Sequence, residues 1–207
     1  MIRTKQELSF YIKADRVMNG FPASPKGFVG FIRGLLPHPK KNIIKFLKYM
    51  RLCDYYTNGG GNPLIRRYYL YKYNKYGERL GFSIDYCAFG YGLVIPHYGT
   101  IVVGGPNTIG NYCVLHTSTC IAGDGKKIGN GFYLSSGSQV VGNVEIGDNV
   151  TIASHSLVNK NVPSNVLVAG SPSVVKKENY PVWFLRDGIE YQQRMNEVDK
   201  MAKDYGC

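Results

Sequence analysis

The middle of the chain carries an aliphatic residue at every sixth position, with one slip. The residues in this series are Val103, Ile109, Leu115 and Ile121, and then, after one inserted residue, Ile128, Leu134, Val140, Ile146, Ile152 and Val158. A period of six fits neither the 3.6 of a helix nor the 2 of a strand. It predicts a solenoid with three short flat sides and about 18 residues per coil, in which each aliphatic residue stacks on its counterpart one coil away.

A second inward position follows four residues after the first. It is held by apolar or small residues: Cys113, Phe132, Ser138, Val144, Val150, Ser156 and Val162. Gly or Ala often follows the aliphatic residue, which suits a tight corner. The inserted residue falls within 121–129 and predicts a small loop that bulges from the coil.

The segments on either side of the repeat have helical patterns. We predict helices over 4–18, 25–36, 41–57, 63–78 and 187–205, the first with Thr4 and Glu7 as a capping box. The chain therefore divides into a basic α-helical domain (1–80), the solenoid (81–172) and a C-terminal tail with a helix (173–207). Trp183 and Phe184 are expected to fold back on the coils and cap their open end.

The net charge of +11 comes from the N-terminal part, where Lys and Arg outnumber Asp and Glu about four to one through residue 80. The run at 66–76 interleaves bases with tyrosines. It fits a helix that packs its tyrosines and solvates its bases, a nucleic-acid surface, or contact with an anionic glycan or membrane surface. We expect no nucleic-acid partner and keep peripheral membrane contact open.

Five scattered cysteines form no disulfide framework, and no apolar run of membrane-spanning length is present. The first residues do not resemble a signal peptide. These features predict a cytoplasmic protein with reduced thiols.

The segment 109–158, followed by the exit sequence at 166–177, resembles the hexapeptide-repeat acyltransferases, which fold as a left-handed parallel β-helix. The motif GLVIPHYGTIVV at 92–103 is similar to the serine acetyltransferase branch, including its relatives that O-acetylate capsular and other surface sugars. The likeness covers about 81–177. It implies an acetyltransferase that uses acetyl-CoA as donor, and a homotrimer with the donor channel between adjacent subunits.

The resemblance makes His97 the catalytic residue, because it occupies the position of the family's catalytic histidine. A hydroxyl is a poor nucleophile at neutral pH, and an imidazole can take its proton during attack on the thioester and return it to the leaving thiolate. The family's orienting aspartate falls at Phe82, which departs from the pattern. Asp85 is the nearest carboxylate and is predicted to orient His97. His116, about one coil later, is predicted to contact substrate.

The resemblance also implies the residues that hold CoA. The sequence GDGK at 123–126 aligns with the family's Gly-Thr-Gly-Lys along the pantetheine, serines in the next two coils line the channel, and a lysine pair meets the phosphates. The predicted donor-binding residues are Gly123, Gly125, Lys126, Ser136, Ser154, Lys176 and Lys177.

The serine enzymes carry a further segment with a second histidine, which is absent here. For that reason the expected acceptor is a sugar hydroxyl of a surface polysaccharide or its precursor, with serine O-acetyltransferase of cysteine biosynthesis as the alternative and a non-enzymatic scaffold as the third reading. His97, His116 and His155 stand at different phases of the hexad, so we expect no metal.

Overall fold

A computed structural model of the chain describes residues 1–24 and 38–205. Its centre is a parallel β-helix with three sides, here named A, B and C in the order in which the chain meets them. Side A contains β1 (Phe82–Ile84), β2 (Ile101–Val103), β5 (Thr119–Ile121), β8 (Gln139–Val140) and β11 (Leu157–Val158). Side B contains β3 (Thr108–Ile109), β6 (Lys127–Ile128) and β9 (Glu145–Ile146). Side C contains β4 (Val114–Leu115), β7 (Tyr133–Leu134), β10 (Thr151–Ile152), β12 (Leu167–Gly170) and the antiparallel β13 (Ser173–Lys177).

The hexad prediction is confirmed, since every residue of both inward series is buried in the stack. Register shows the coil length directly: Val103 pairs with Ile121, and Ile121 pairs with Val140. The second interval is one residue longer than the first because the inserted residue lies in the loop 122–126 between β5 and β6. The predicted parallel β-helix with N-terminal helices and a C-terminal helix is therefore the observed fold.

In the described residues, five helices surround the coils. They are α1 (Lys5–Met18), α2 (Lys41–Asn58), α3 (Pro63–Leu80), α4 (Trp183–Arg186) and α5 (Ile189–Tyr205). The Thr4–Glu7 capping box of α1 is present as predicted. The helix predicted over 25–36 lies outside the described residues. The predicted boundary at residue 80 falls at the end of α3, although one apolar core runs from α2 and α3 into the coils.

Helices α1 and α2 supply the hydrogen bonds that the first coil would otherwise lack. Arg51 of α2 donates to the carbonyls of Phe89 and Gly90 at 2.7 and 2.6 Å. Asp15 of α1 accepts from the Leu93 amide at 3.0 Å. An end coil has no neighbour for its backbone groups, and buried backbone groups are costly to leave unpaired. These side chains therefore replace the missing neighbouring coil.

Side C is covered by α1, α4 and α5. Trp183 is buried there and donates its indole N–H to the Tyr112 carbonyl at 2.8 Å. Its ring also lies 6.3 Å from that of Tyr133. The tail folds back on the coils as expected, but the Trp183 contacts are with this side and not with the open end. None of the helices in the described ranges has the length and apolar character of a membrane span.

Candidate active site

The predicted catalytic histidine lies on the edge where side C turns into side A, here called the C–A edge. The first coil uses seven positions to pass from Val94 to Ile101, whereas the second coil needs only five from Val114 to Thr119, the residues with which these two pair. The longer segment accommodates an outward turn, and His97 is exposed within it. Its imidazole makes no hydrogen bond to any residue in the described part of the chain, so its nitrogens are open to a ligand.

The start of this segment is held rigidly by α1. The Asn19 side chain donates to the Leu93 carbonyl at 2.8 Å and accepts from the Ile95 amide at 3.2 Å. Asn19 is itself buried. The segment that leads into His97 is thus fixed by side-chain hydrogen bonds that imitate those of a neighbouring strand.

His116 occupies the same C–A edge one coil further on, directly after β4. Its Nε2 lies 2.7 Å from the Tyr133 hydroxyl, and its ring is 5.0 Å from the Tyr133 ring. The carboxylate of Asp187, which follows α4, lies near Tyr133 and acts on it electrostatically. A polar chain of imidazole, phenol and carboxylate therefore runs from the edge into the C-terminal segment.

Burial and neighbouring charge set the protonation of this chain. Burial lowers the pKa of His116, and the nearby His97 imidazole lowers it further, against the opposing effect of Asp187. Burial raises the pKa of Tyr133 to about 12, and the charge of Asp187 adds to that effect. His116 is therefore neutral at physiological pH, and Tyr133 keeps its proton as a donor.

Tyr133 and Asp187 were missed by the sequence analysis. Tyr133 follows His116 by 17 positions, close to one coil, so the repeat spacing alone could have indicated their contact. Asp187 had no such signal, because its place depends on how α4 packs on side C. Arg186 also reaches this side, with its guanidinium 5.0 Å from the centre of the Tyr133 ring and 2.7 Å from the Asp187 carboxylate.

Within one chain, the structure does not bring the predicted pair Asp85 and His97 together. Asp85 follows β1 at the edge between sides A and B, whereas His97 precedes β2 at the C–A edge. The Asp85 carboxylate accepts from the Cys87 amide at 3.1 Å and lies close to Gly105. Phe82, at the position of the family's aspartate, is an inward residue that packs on Phe46 of α2 with ring centres 5.1 Å apart. Within one chain the first strand therefore serves the core and brings no carboxylate to His97.

Gly123, Gly125 and Lys126 form the predicted loop at the A–B edge. Both glycines have positive φ, which this tight loop requires. The Asn107 side chain ties the loop to the coil above by donating to the Gly123 carbonyl at 2.9 Å and accepting from the Lys126 amide at 2.8 Å. The Lys126 ammonium is turned inward and donates to the Ala122 carbonyl. In this conformation the loop itself uses the ammonium, and contact of Lys126 with CoA stays a prediction.

The remaining donor-binding predictions separate into two groups. Ser136 and Ser154 lie on the C–A edge below His97 and His116, in the third and fourth coils. Lys176 and Lys177 are exposed at the far end of β13, where Lys177 pairs with Leu167 at the start of side C. Within one chain the lysine pair is therefore not brought to the edge that carries His97.

His155 also lies on the C–A edge, in the fourth coil, where its ring packs over Gly137. The three histidines thus share an edge, contrary to the phases assigned from the sequence, but they occupy the first, second and fourth coils. Among the residues that the structure describes, no three His, Cys, Asp or Glu side chains converge on a metal position.

Residues 125–160 match the family model of the bacterial transferase hexapeptide (six repeats). The serine acetyltransferase of Synechococcus elongatus is 34% identical over 93 residues, covering 42% of this chain and 38% of that protein. The serine acetyltransferase of Buchnera aphidicola is 31% identical over 138 residues, covering 62% of this chain and 49% of that protein. The chain thus spans half or less of the length of these curated relatives.

Solved structures give the same picture for the fold. The crystal structure of Neisseria gonorrhoeae serine acetyltransferase matches with a TM-score of 0.61 and 22% identity, covering 89% of this chain and 71% of that chain. A serine acetyltransferase in complex with CoA matches with a TM-score of 0.57 and 19% identity, covering 81% and 68%.

These relatives contradict the expected sugar acceptor, because both the sequence relatives and the structural neighbours are serine acetyltransferases. The expectation rested on a missing segment and on Phe82. An absent segment shows which contacts are lacking and does not identify what binds in their place. The matches therefore identify bacterial transferase hexapeptide repeats at residues 125–160 and show that the chain is similar to serine acetyltransferases.

Proposed function

We propose that this chain transfers the acetyl group of acetyl-CoA to the hydroxyl of serine. The observation that carries the proposal is the His97 imidazole, exposed on the C–A edge and free of hydrogen bonds to the described residues, in a motif similar to that of serine acetyltransferases. The sequence relatives supply the acceptor, and a neighbour solved with CoA supplies the donor class. A cytoplasmic location goes with this proposal.

His97 acts as general base in direct transfer. The serine hydroxyl loses its proton to the imidazole while its oxygen attacks the thioester carbonyl, so that a C–O bond forms. The C–S bond then breaks, and the imidazolium returns the proton to the departing thiolate. An unperturbed imidazole titrates near neutral pH, which suits both steps, and general-base catalysis of this kind contributes about 10²–10⁴-fold.

His116 provides an acceptor beside this base. In the proposed tautomer Nε2 carries the proton and donates to the Tyr133 hydroxyl oxygen. The neutral ring then keeps Nδ1 as an acceptor for the ammonium or hydroxyl of serine. The lowered pKa of His116 keeps the ring in this form when His97 becomes charged.

The donor site is shared between copies of the chain. Two sets of predicted donor-binding residues lie at opposite ends of the side A strands: Ser136 on the C–A edge, and the loop at 122–126 on the A–B edge. A strand of three extended residues separates the two edges by about 10 Å. One copy's C–A edge therefore needs a second copy's loop to enclose a ligand. The outward residues of side A support such packing, because none of them is charged: Ser83, Val102, Cys120, Gln139 and Leu157. A homotrimer closes three such grooves.

The test is release of free CoA from acetyl-CoA by the purified protein, followed with a thiol reagent, with serine, threonine, homoserine and a panel of sugars as acceptors. We expect saturable turnover with serine and an O-acetylserine product by mass spectrometry. Failure of serine to support turnover above the hydrolysis of acetyl-CoA would exclude the proposed acceptor. Sedimentation equilibrium tests the shared site, since a trimer has three times the chain mass of 23.1 kDa.

A further inference from the structure

Helix α3 has an apolar stripe on the side that faces away from the protein. Its buried residues, spaced i, i+4 and i+7, are Tyr73, Gly77 and Leu80. A second stripe with the same spacing consists of Leu64, Tyr68 and Tyr71. The two stripes begin nine residues apart, which is two and a half helical turns, so they lie on opposite faces. The outward stripe is 78%, 52% and 57% exposed at its three positions.

The helix is held in shape at the end where this stripe begins. Asn62 caps α3 by accepting from the Leu64 amide at 2.9 Å, and Pro63 occupies the first helical position. The first turn therefore presents Leu64 and the partly exposed Ile65 on an ordered backbone. An exposed helix face is usually polar, but the first two turns of this one present Leu64, Ile65 and Tyr68 to solvent.

Cations surround the apolar stripe. They are Arg67, Lys72, Lys75 and Arg79, with Glu78 as the single acidic residue of the helix. The Lys72 ammonium lies 5.4 Å from the centre of the Tyr68 ring, and the Lys75 ammonium lies 5.9 Å from that of Tyr71. Aliphatic, phenolic and cationic groups thus occur together on one side of a single helix.

We propose that this outward face of α3 binds the surface of an anionic lipid bilayer, independently of the transferase activity. Tyrosine favours the boundary between headgroups and acyl chains, aliphatic side chains enter it, and Lys and Arg bind anionic headgroups. A second copy is a poorer occupant, because two identical faces would bring cation against cation. A nucleic acid would contact the charges and rings but would leave the aliphatic side chains of Leu64 and Ile65 without an apolar partner.

Binding is tested with the full chain and sedimented vesicles, one set of phosphatidylcholine alone and one of phosphatidylcholine with phosphatidylglycerol. We expect binding to the anionic vesicles only, weakening as salt is raised. Each Lys or Arg near such a surface strengthens binding roughly fivefold, so Lys72→Glu with Lys75→Glu lowers the partition coefficient by at least about 25-fold. Leu64→Ser with Tyr71→Ser lowers it roughly tenfold through lost apolar burial.

The matched control is Lys160→Glu with Lys200→Glu, which changes the net charge equally at exposed positions outside α3. It retains binding if the face itself is responsible. Far-UV circular dichroism confirms that each variant is folded. The proposal is overturned if the wild type ignores anionic vesicles, if the control pair loses binding as much as the α3 pair, or if the serine pair binds vesicles as the wild type does. Loss of RNA binding or of self-association in the α3 variants, with vesicle binding unchanged, assigns the face to those partners and also overturns it.

Discussion

Replacing Arg51 by Met should destabilise the protein severely, because this residue closes the first coil. The guanidinium is fully buried, and its Nε lies 2.8 Å from an Asp15 carboxylate oxygen in the one buried ion pair of the described residues. It also donates to two backbone carbonyls of the coil. Removal of one partner of a buried ion pair costs about 3–5 kcal/mol, since the other charge is left uncompensated.

The assay is equilibrium urea unfolding, followed by the fluorescence of Trp183, the single tryptophan. We expect the free energy of unfolding to fall by at least about 3 kcal/mol in Arg51→Met. The double variant Asp15→Asn with Arg51→Met should be more stable than the sum of the single losses predicts, because it leaves no unpaired charge.

Lys127→Met is the matched control. This residue forms an ion pair with Glu145, but the two side chains are 75% and 64% exposed, and such pairs contribute about 0–1 kcal/mol. A loss below about 1 kcal/mol in Arg51→Met, similar to that of the control, would refute the argument that Arg51 and Asp15 replace a neighbouring coil.

Three further predictions concern the polar chain and the thiols. Tyr133→Phe removes the hydroxyl between His116 and Asp187 and should lower kcat/KM for serine roughly tenfold, chiefly through KM; an unchanged KM would contradict the role given to His116. Folding lowers the pKa of His116, so the unfolded state takes up the proton at a higher pH than the folded state does. Stability should therefore be greatest above the pKa of His116 in the unfolded chain and fall as the pH drops below about 6.5. The thermal midpoint of His116→Gln should fall less than that of the wild type over the same pH range. Burial raises the pKa of the Cys113 thiol to about 12, so native protein at pH 8 should leave it unlabelled by iodoacetamide while urea-unfolded protein labels it, as peptide mass mapping can check.

The coils could be predicted from the sequence because their information is local and repeated. Each hexad places one residue inward, and a slip of one residue, as at the loop 122–126, is visible as a break in the count. The same counting places His116 one coil after His97. The structure places both residues on the C–A edge.

The residues that complete the site were harder to predict. The period of six tells in which coil a residue lies, but whether it lies on the C–A or the A–B edge depends on where each strand begins and ends. Asp85 is twelve positions before His97 and still lies at the other end of a side A strand. Lys126 matches a family motif, yet its ammonium bonds to the Ala122 carbonyl. Asp187 reaches Tyr133 only because α4 packs on side C, a tertiary contact that no periodicity contains.

The central claim is that the exposed imidazole of His97 is the general base, and one comparison tests it most directly. His97→Asn and His155→Asn make the same chemical change on the same edge, three coils apart, and Asn also tolerates the positive φ of 56° at position 155. The initial rate of CoA release with serine is measured for both variants and the wild type. The account predicts a loss of about 10²–10⁴-fold for His97→Asn and a nearly unchanged rate for His155→Asn. A folded His97→Asn variant that keeps most of the wild-type rate would contradict it.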